Sequence, residues 1–176
     1  MATKVITGAN TRWSYANVWE PKAMEGGKPK FSVSLIIPKS DSVTVGKIRS
    51  AIEEAYRDGQ SKLKGNGKSV PALSTLRTPL RDGDLERPDD PAYANAYFVN
   101  ANSASAPGVV DANRNEILDK SQVYSGCYGR ASISFYAFTV VLPADSTICR
   151  RSGTENLWAA RPVPRATLLP SLMKTF

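Results

Sequence analysis

Between Phe31 and Ile37 the chain alternates, with Phe31, Val33, Leu35 and Ile37 set among Ser32 and Ser34. A period of two predicts a half-buried strand, and Pro38 ends it because proline cannot donate to a ladder. Immediately afterwards the period changes. Val45, Ile48, Ile52, Ala55 and Tyr56 recur at helical spacing, while Lys47, Arg49, Glu53, Glu54 and Arg57 fall largely elsewhere. This predicts one amphipathic helix over about residues 43–58, capped by Asp41 or Ser42 and stopped by Gly59.

Shorter β segments surround this pair: KVIT (4–7), RWSYANVW (12–19), AYFVNANS (96–103), PGVVD (107–111) and GCYGRASISFYAF (126–138). In the last, Ala131, Ile133, Phe135 and Ala137 alternate with Arg130, Ser132, Ser134, Tyr136 and Phe138. Phe31 and Phe135 are expected in the core, and Tyr15, Tyr128 and Tyr136 at the surface. QSKLKGNGKSVPALST (60–75) reads as a polar loop. Many short strands with one inserted helix predict a mainly β chain with one or two helices. An OB-fold-like β-barrel is the first candidate.

Composition narrows the chemistry. Histidine is absent, so no His base can serve a Ser or Cys nucleophile and no His can ligate zinc. Cys127 and Cys149 stand far apart, which argues against a disulfide framework. No apolar run is long enough to cross a bilayer and MATKVITGAN lacks a signal-peptide core, so a soluble protein of the cytoplasm is expected. The net charge is +7. Residues 1–139 hold 18 Lys and Arg against 14 Asp and Glu, whereas residues 140–176 hold five against two. The body is therefore only mildly basic.

Three local patterns invite a chemical reading. RDGDLERPDDP (81–91) gathers Asp82, Asp84, Asp89 and Asp90, which a metal-dependent nuclease could use. Its turn residues and prolines favour a solvated acidic loop instead. DANRNE (111–116) opens like a calcium loop, but Glu116 and Gln122 occupy the positions of the turn glycine and the closing glutamate, so a turn explains it better. The third pattern interleaves aromatic and cationic residues: Arg12, Tyr15 and Trp19, then Lys28 and Lys30, then Tyr128, Arg130 and Tyr136. Unpaired bases stack on aromatic rings while Lys and Arg follow phosphates, so these eight are the candidate DNA-binding residues.

The strings RWSYANVWEPK, KFSVSLIIPKSD, RDGDLERPDDPAYANAYFVNANS and YSGCYGRASISFYAF resemble, in this order, a phage-encoded single-stranded-DNA-binding family formerly catalogued as a domain of unknown function. The resemblance spans about residues 8–138. It implies an OB-fold protein that coats single-stranded DNA in phage replication, recombination or repair, in the host cytoplasm, without catalysis, cofactor or sequence preference. The competing expectations are a metal-dependent nuclease and a structural phage protein. Binding to double-stranded DNA and the oligomeric state stay open.

The tail departs from that family, whose members resemble one another in a last strand like ACGLxNLQ, an EPLGG segment and an acidic end. Residues 1–139 are therefore expected to form the domain, and residues 140–176 an atypical, poorly ordered tail read out of frame. Moving each triplet start to the third base of the written codon permits EPLGGKT from Glu155 onward. In the same frame RVACGLDNLQAFRNG precedes it and RAEGDFAAFADEDF follows. The shifted tail would carry surplus anions where the written one carries surplus cations. Such acidic tails resemble those that recruit phage or host replication proteins.

Overall fold

The computed structural model describes residues 3–23, 27–64, 69–139, 146–151 and 157–161. In chain order it runs β1 (Thr3–Ile6), β2 (Arg12–Lys22), β3 (Lys30–Pro38), α1 (Ser42–Asp58), α2 (Gln60–Lys64), β4 (Arg81–Asp82), α3 (Gly83–Glu86), β5 (Ala96–Ser103), β6 (Gly108–Val110), β7 (Tyr128–Arg130), β8 (Ser132–Thr139), β9 (Ser146–Arg151) and β10 (Leu157–Arg161). Seven strands form one sheet in the order β4-β5-β3-β2-β7-β10-β6, and three form another in the order β1-β8-β9. The architecture is mainly β and OB-like, with α1 packed against β1 and β8.

The alternation in β3 does what its period dictates. Val33, Leu35 and Ile37 are buried and join Val99 and Ala101 of β5 in the main core. Helix α1 adds Val45, Ile48, Ala51, Ile52 and Ala55 from one face. Its N-terminus is capped by Asp41, whose carboxylate accepts from the Thr44 amide and hydroxyl, at 3.1 and 2.6 Å. Phe135 is fully buried as expected, whereas Phe31, at the outer end of β3, is only half-buried.

Three expectations need correction. QSKLK is the short helix α2 rather than loop, because Leu63 is an apolar anchor that is buried there. Residues 126–138 do not make one strand: the chain changes sheets at Ala131. The Ala131 amide donates to the Thr7 hydroxyl and its carbonyl accepts from the Thr7 amide, both at 2.9 Å. That exchange splits the segment into β7 and β8. The 81–91 run is only in part the expected loop: it is largely exposed, but it folds into β4 and α3 and ends at a 3₁₀ turn over Pro91–Tyr93. By contrast DANRNE is the expected turn, with the Asp111 carboxylate accepting from the Asn113 and Asn115 amides. The expectation of a poorly ordered tail falls outside the described residues, except for the backbone of β9 and β10.

Candidate nucleic-acid interface

The inward face of the large sheet is apolar, whereas its outward face carries polar rows beside a small apolar cluster of Ile36 and Phe98 packed with Tyr93. Cross-strand partners share a face, so the register places Asn17, Ser32 and Asn102 in one row across β2, β3 and β5, and Ser14, Ser34 and Asn100 in the next. A third row runs Arg81, Phe98, Ile36, Arg12, Tyr128 across five strands, about 19 Å at the usual strand spacing. Asn17, Ser32 and Asn102 of the first row and Ser34 and Asn100 of the second floor an open groove of about 1020 Å³, walled by residues 77–87; of the third row only Arg81 lines it.

The floor owes its shape to a β-bulge in β2. Ser14 pairs with Ser34 but Asn17 pairs with Ser32, so β2 spends two residues, Tyr15 and Ala16, where β3 spends one. The extra residue reverses the parity of the strand, which is why Trp13 and Val18 both point into the core. Tyr15 absorbs the distortion with φ 48°, in the left-handed region that a bulky side chain rarely adopts. The residue is 57 % exposed and lines the groove. A strained aromatic held on a sheet surface is the kind of feature that accumulates at functional sites.

Arg87 faces this ring. Its guanidinium carbon lies 5.7 Å from the Tyr15 centroid, 5.0 Å from that of Tyr93 and 5.8 Å from that of Phe98. Tyr93 and Phe98 meet edge to face with centroids 5.0 Å apart, and Tyr93 donates to the Ser34 hydroxyl at 3.0 Å. Arg81 covers Phe98 from its own position, 5.0 Å away. Lys22, Arg77, Arg81 and Arg87 all line the groove, against the anions Asp82 and Glu86. Both anions are already partnered: Glu86 with Arg81, and Asp82 with Lys39 at 2.9 Å. No ion pair involves Lys22, Arg77 or Arg87 among the described residues. The lining therefore offers net positive charge to a ligand.

Lys39 holds the wall in place. Its ammonium also reaches Asp84 at 2.7 Å, and Asp84 accepts from the Asn95 amide at 2.8 Å. Asp84, and then Asp82, hold the Lys39 ammonium well above the ordinary lysine value. Lys39 first, then the Asn95 amide, hold the Asp84 carboxyl below its usual 3.8. A depressed carboxyl contributes stability that is present above its unfolded value and lost as pH falls through the folded one. Denaturant unfolding at pH 7 and at about pH 3 is thus expected to show a smaller acid loss for Asp84→Asn than for the parent chain. Equal losses would remove Asp84 from the clamp.

The candidate residues divide on this frame. Arg12 and Tyr128 are cross-strand neighbours on the groove-side face, with Arg130 two residues along. Tyr15 sits at the bulge. Lys30 pairs with Lys22 at the far end of β2 and β3, and Lys28 is exposed just before it. Trp19 is not brought to the groove: it is half-buried against the core and its indole donates to the Val123 carbonyl at 3.1 Å. Tyr136 lies in β8 of the other sheet, also half-buried. Asp82 and Asp84 are tied to Lys39 and Asp90 caps the Pro91 turn. Among the described residues no three His, Cys, Asp or Glu side chains gather as a metal site.

Sequence reasoning missed Arg81 and Arg87, because they are interspersed with the acids of the 81–91 run, and Arg77, because it stands alone in a stretch with no neighbouring aromatic. It also passed over Asn17, Asn100 and Asn102. Asparagine is depleted in strands, so three of them in β2 and β5 were a readable signal.

The model of a phage protein family, described as the ssDNA-binding protein of Enterobacter phage Enc34, matches residues 3–142. The chain belongs to this Enc34 single-stranded-DNA-binding protein family. Protein p50 of Acyrthosiphon pisum secondary endosymbiont phage 1 is 29% identical over 133 residues, covering 73% of this chain and 71% of that protein. The solved structure of the single-stranded DNA-binding protein from bacteriophage Enc34 in complex with ssDNA superimposes with a TM-score of 0.66 at 25% identity, covering 92% of this chain and 88% of that one. Bacteriophage T7 gp2.5, a single-stranded DNA binding protein, shares the fold with a TM-score of 0.62 at 14% identity, over 93% and 90% of the two chains. Within the Enc34 family frame, no helix among the described residues is long and apolar enough to cross a membrane.

Proposed function

We propose that this chain binds single-stranded DNA along the groove, without catalysis and without sequence preference, in phage DNA replication, recombination or repair. The observation that carries the proposal is Tyr15, an aromatic ring held by backbone strain at the edge of an arginine-lined groove. A base stacks on that ring while Arg77, Arg81 and Arg87 along one wall meet phosphates. Arg12, Tyr128 and Arg130 extend the path at one end and Lys22, Lys28 and Lys30 at the other. Family membership supports this reading.

Anisotropy titration with oligo-dT across a salt series tests it. The logarithm of affinity is expected to fall by about 0.7 per neutralised phosphate for each decade of salt. Tyr15→Ala is expected to weaken binding roughly tenfold, within the range of one lost stack. Tyr15→Gly is expected to bind as weakly while gaining about 1 kcal/mol of stability, because glycine adopts φ 48° without strain. Salt-insensitive affinity, or Tyr15→Ala binding as tightly as the parent, would sink the assignment.

We also propose that residues 140–176 are written in a shifted frame that begins near Phe138–Val141. The family match ends at residue 142, beside that point. The nucleotide sequence through the stop codon tests this. Codons incompatible with the EPLGG and ADEDF blocks would refute it, and compatible ones would restore an acidic tail able to engage replication proteins.

A further inference from the structure

We infer that the polar rows on the groove floor read the hydrogen-bonding edges of unpaired bases of any identity, so that the protein selects unpaired strands without selecting sequence. This rests on the single-stranded DNA reading above.

Asn17, Ser32, Ser34, Asn100 and Asn102 all line the groove. The opposite face of the same strands is filled by aliphatic residues, so the amides are confined to one side. An asparagine in a strand brings no apolar packing and competes for backbone hydrogen bonds. Only part of that capacity serves the fold here. Asn17 donates to the Tyr15 carbonyl and to the Ser32 hydroxyl, each at 3.1 Å, which fixes its amide and leaves its carbonyl oxygen to accept. The Asn100 side chain has no hydrogen-bond partner among the described residues. It is nevertheless half-buried, where an unmet amide carries a cost.

A primary amide supplies both donors and acceptors, and a hydroxyl rotates to either role. Such a floor can meet the mixed donor and acceptor edge of each base without preferring one. A base already paired has that edge occupied by its complement. Arginine–phosphate contacts cannot make this distinction, because they form with either kind of strand. Stacking on Tyr15 asks only that a base be unstacked, and leaves its pairing edge unread. Asn17 lies two residues from Tyr15 and is bonded to its carbonyl, so a base stacked on the phenol ring has the Asn17–Ser32–Asn102 row beneath its edge.

The test compares oligo-dT with an N3-methylthymidine oligomer of equal length, which keeps rings and phosphates but blocks the N3–H donor. The parent chain is expected to bind the methylated oligomer about tenfold more weakly, the effect of one or two net hydrogen bonds. The double variant N100A/N102A is expected to bind both oligomers alike, at the level of the parent with the methylated one. Equal parent affinity for the two oligomers would overturn edge reading while leaving DNA binding in place. A variant that still discriminates would assign the loss to methyl bulk and overturn it too. Failure to bind either oligomer would remove the single-stranded DNA reading itself.

Discussion

Replacing Arg77, Arg81 and Arg87 together by alanine is expected to weaken oligo-dT binding by roughly 100-fold at about 0.1 M salt. The magnitude follows from counterion release: three lost phosphate contacts remove about 2.1 from the slope of log affinity against log salt. The same titration should therefore show a shallower slope as well as a weaker intercept, with the curves converging near molar salt. A loss of packing would instead lower affinity evenly across salt. The distinction matters because Arg81 and Arg87 also cover Phe98 and Tyr93. A far-ultraviolet circular dichroism melt of the triple variant checks that the fold survives. An unchanged slope with an intact fold would place the phosphates elsewhere.

Gly83→Ala is expected to cost about 3 kcal/mol, at the upper end for overpacking. A Cβ at Gly83 would stand 2.2 Å from the Tyr93 carbonyl oxygen and 2.8 Å from that of Ala96. Both obstacles are backbone, which cannot rotate aside. Relief requires the α3 turn to lift from β5, carrying with it Asp82 and Asp84, the two ligands of Lys39. The groove wall would then lose its clamp, so weakened oligo-dT binding should accompany the loss of stability. Urea unfolding and anisotropy on one preparation test both effects. A variant of parental stability would contradict the close approach.

Some of this was legible in sequence and some was not, for physical reasons. The strand over Phe31–Ile37 and the helix after it were readable because burial on one face imposes a period, and β3 and α1 obey it. The bulge at Tyr15 was not readable. One extra residue reverses parity without altering composition, and RWSYANVW looks the same with or without it. The break at Ala131 was hidden for a related reason: Ala131, Ile133 and Phe135 are inward on both readings, so the alternation runs through the corner unmarked. The arginine wall was obscured because its acids satisfy partners within the fold. Only three-dimensional pairing shows which sign is left over for a ligand.

The corner at Ala131 also governs when the protein can fold. Thr7 and its partner are 124 residues apart, and β1 has no ladder until β8 is made. A chain emerging from the ribosome at about 5–20 residues per second therefore carries β1 and the apolar face of α1 uncovered for many seconds before closure. Contacts this distant in sequence slow folding further. Synthesis, rather than collapse of the early strands, sets the moment at which β1 finds its partner.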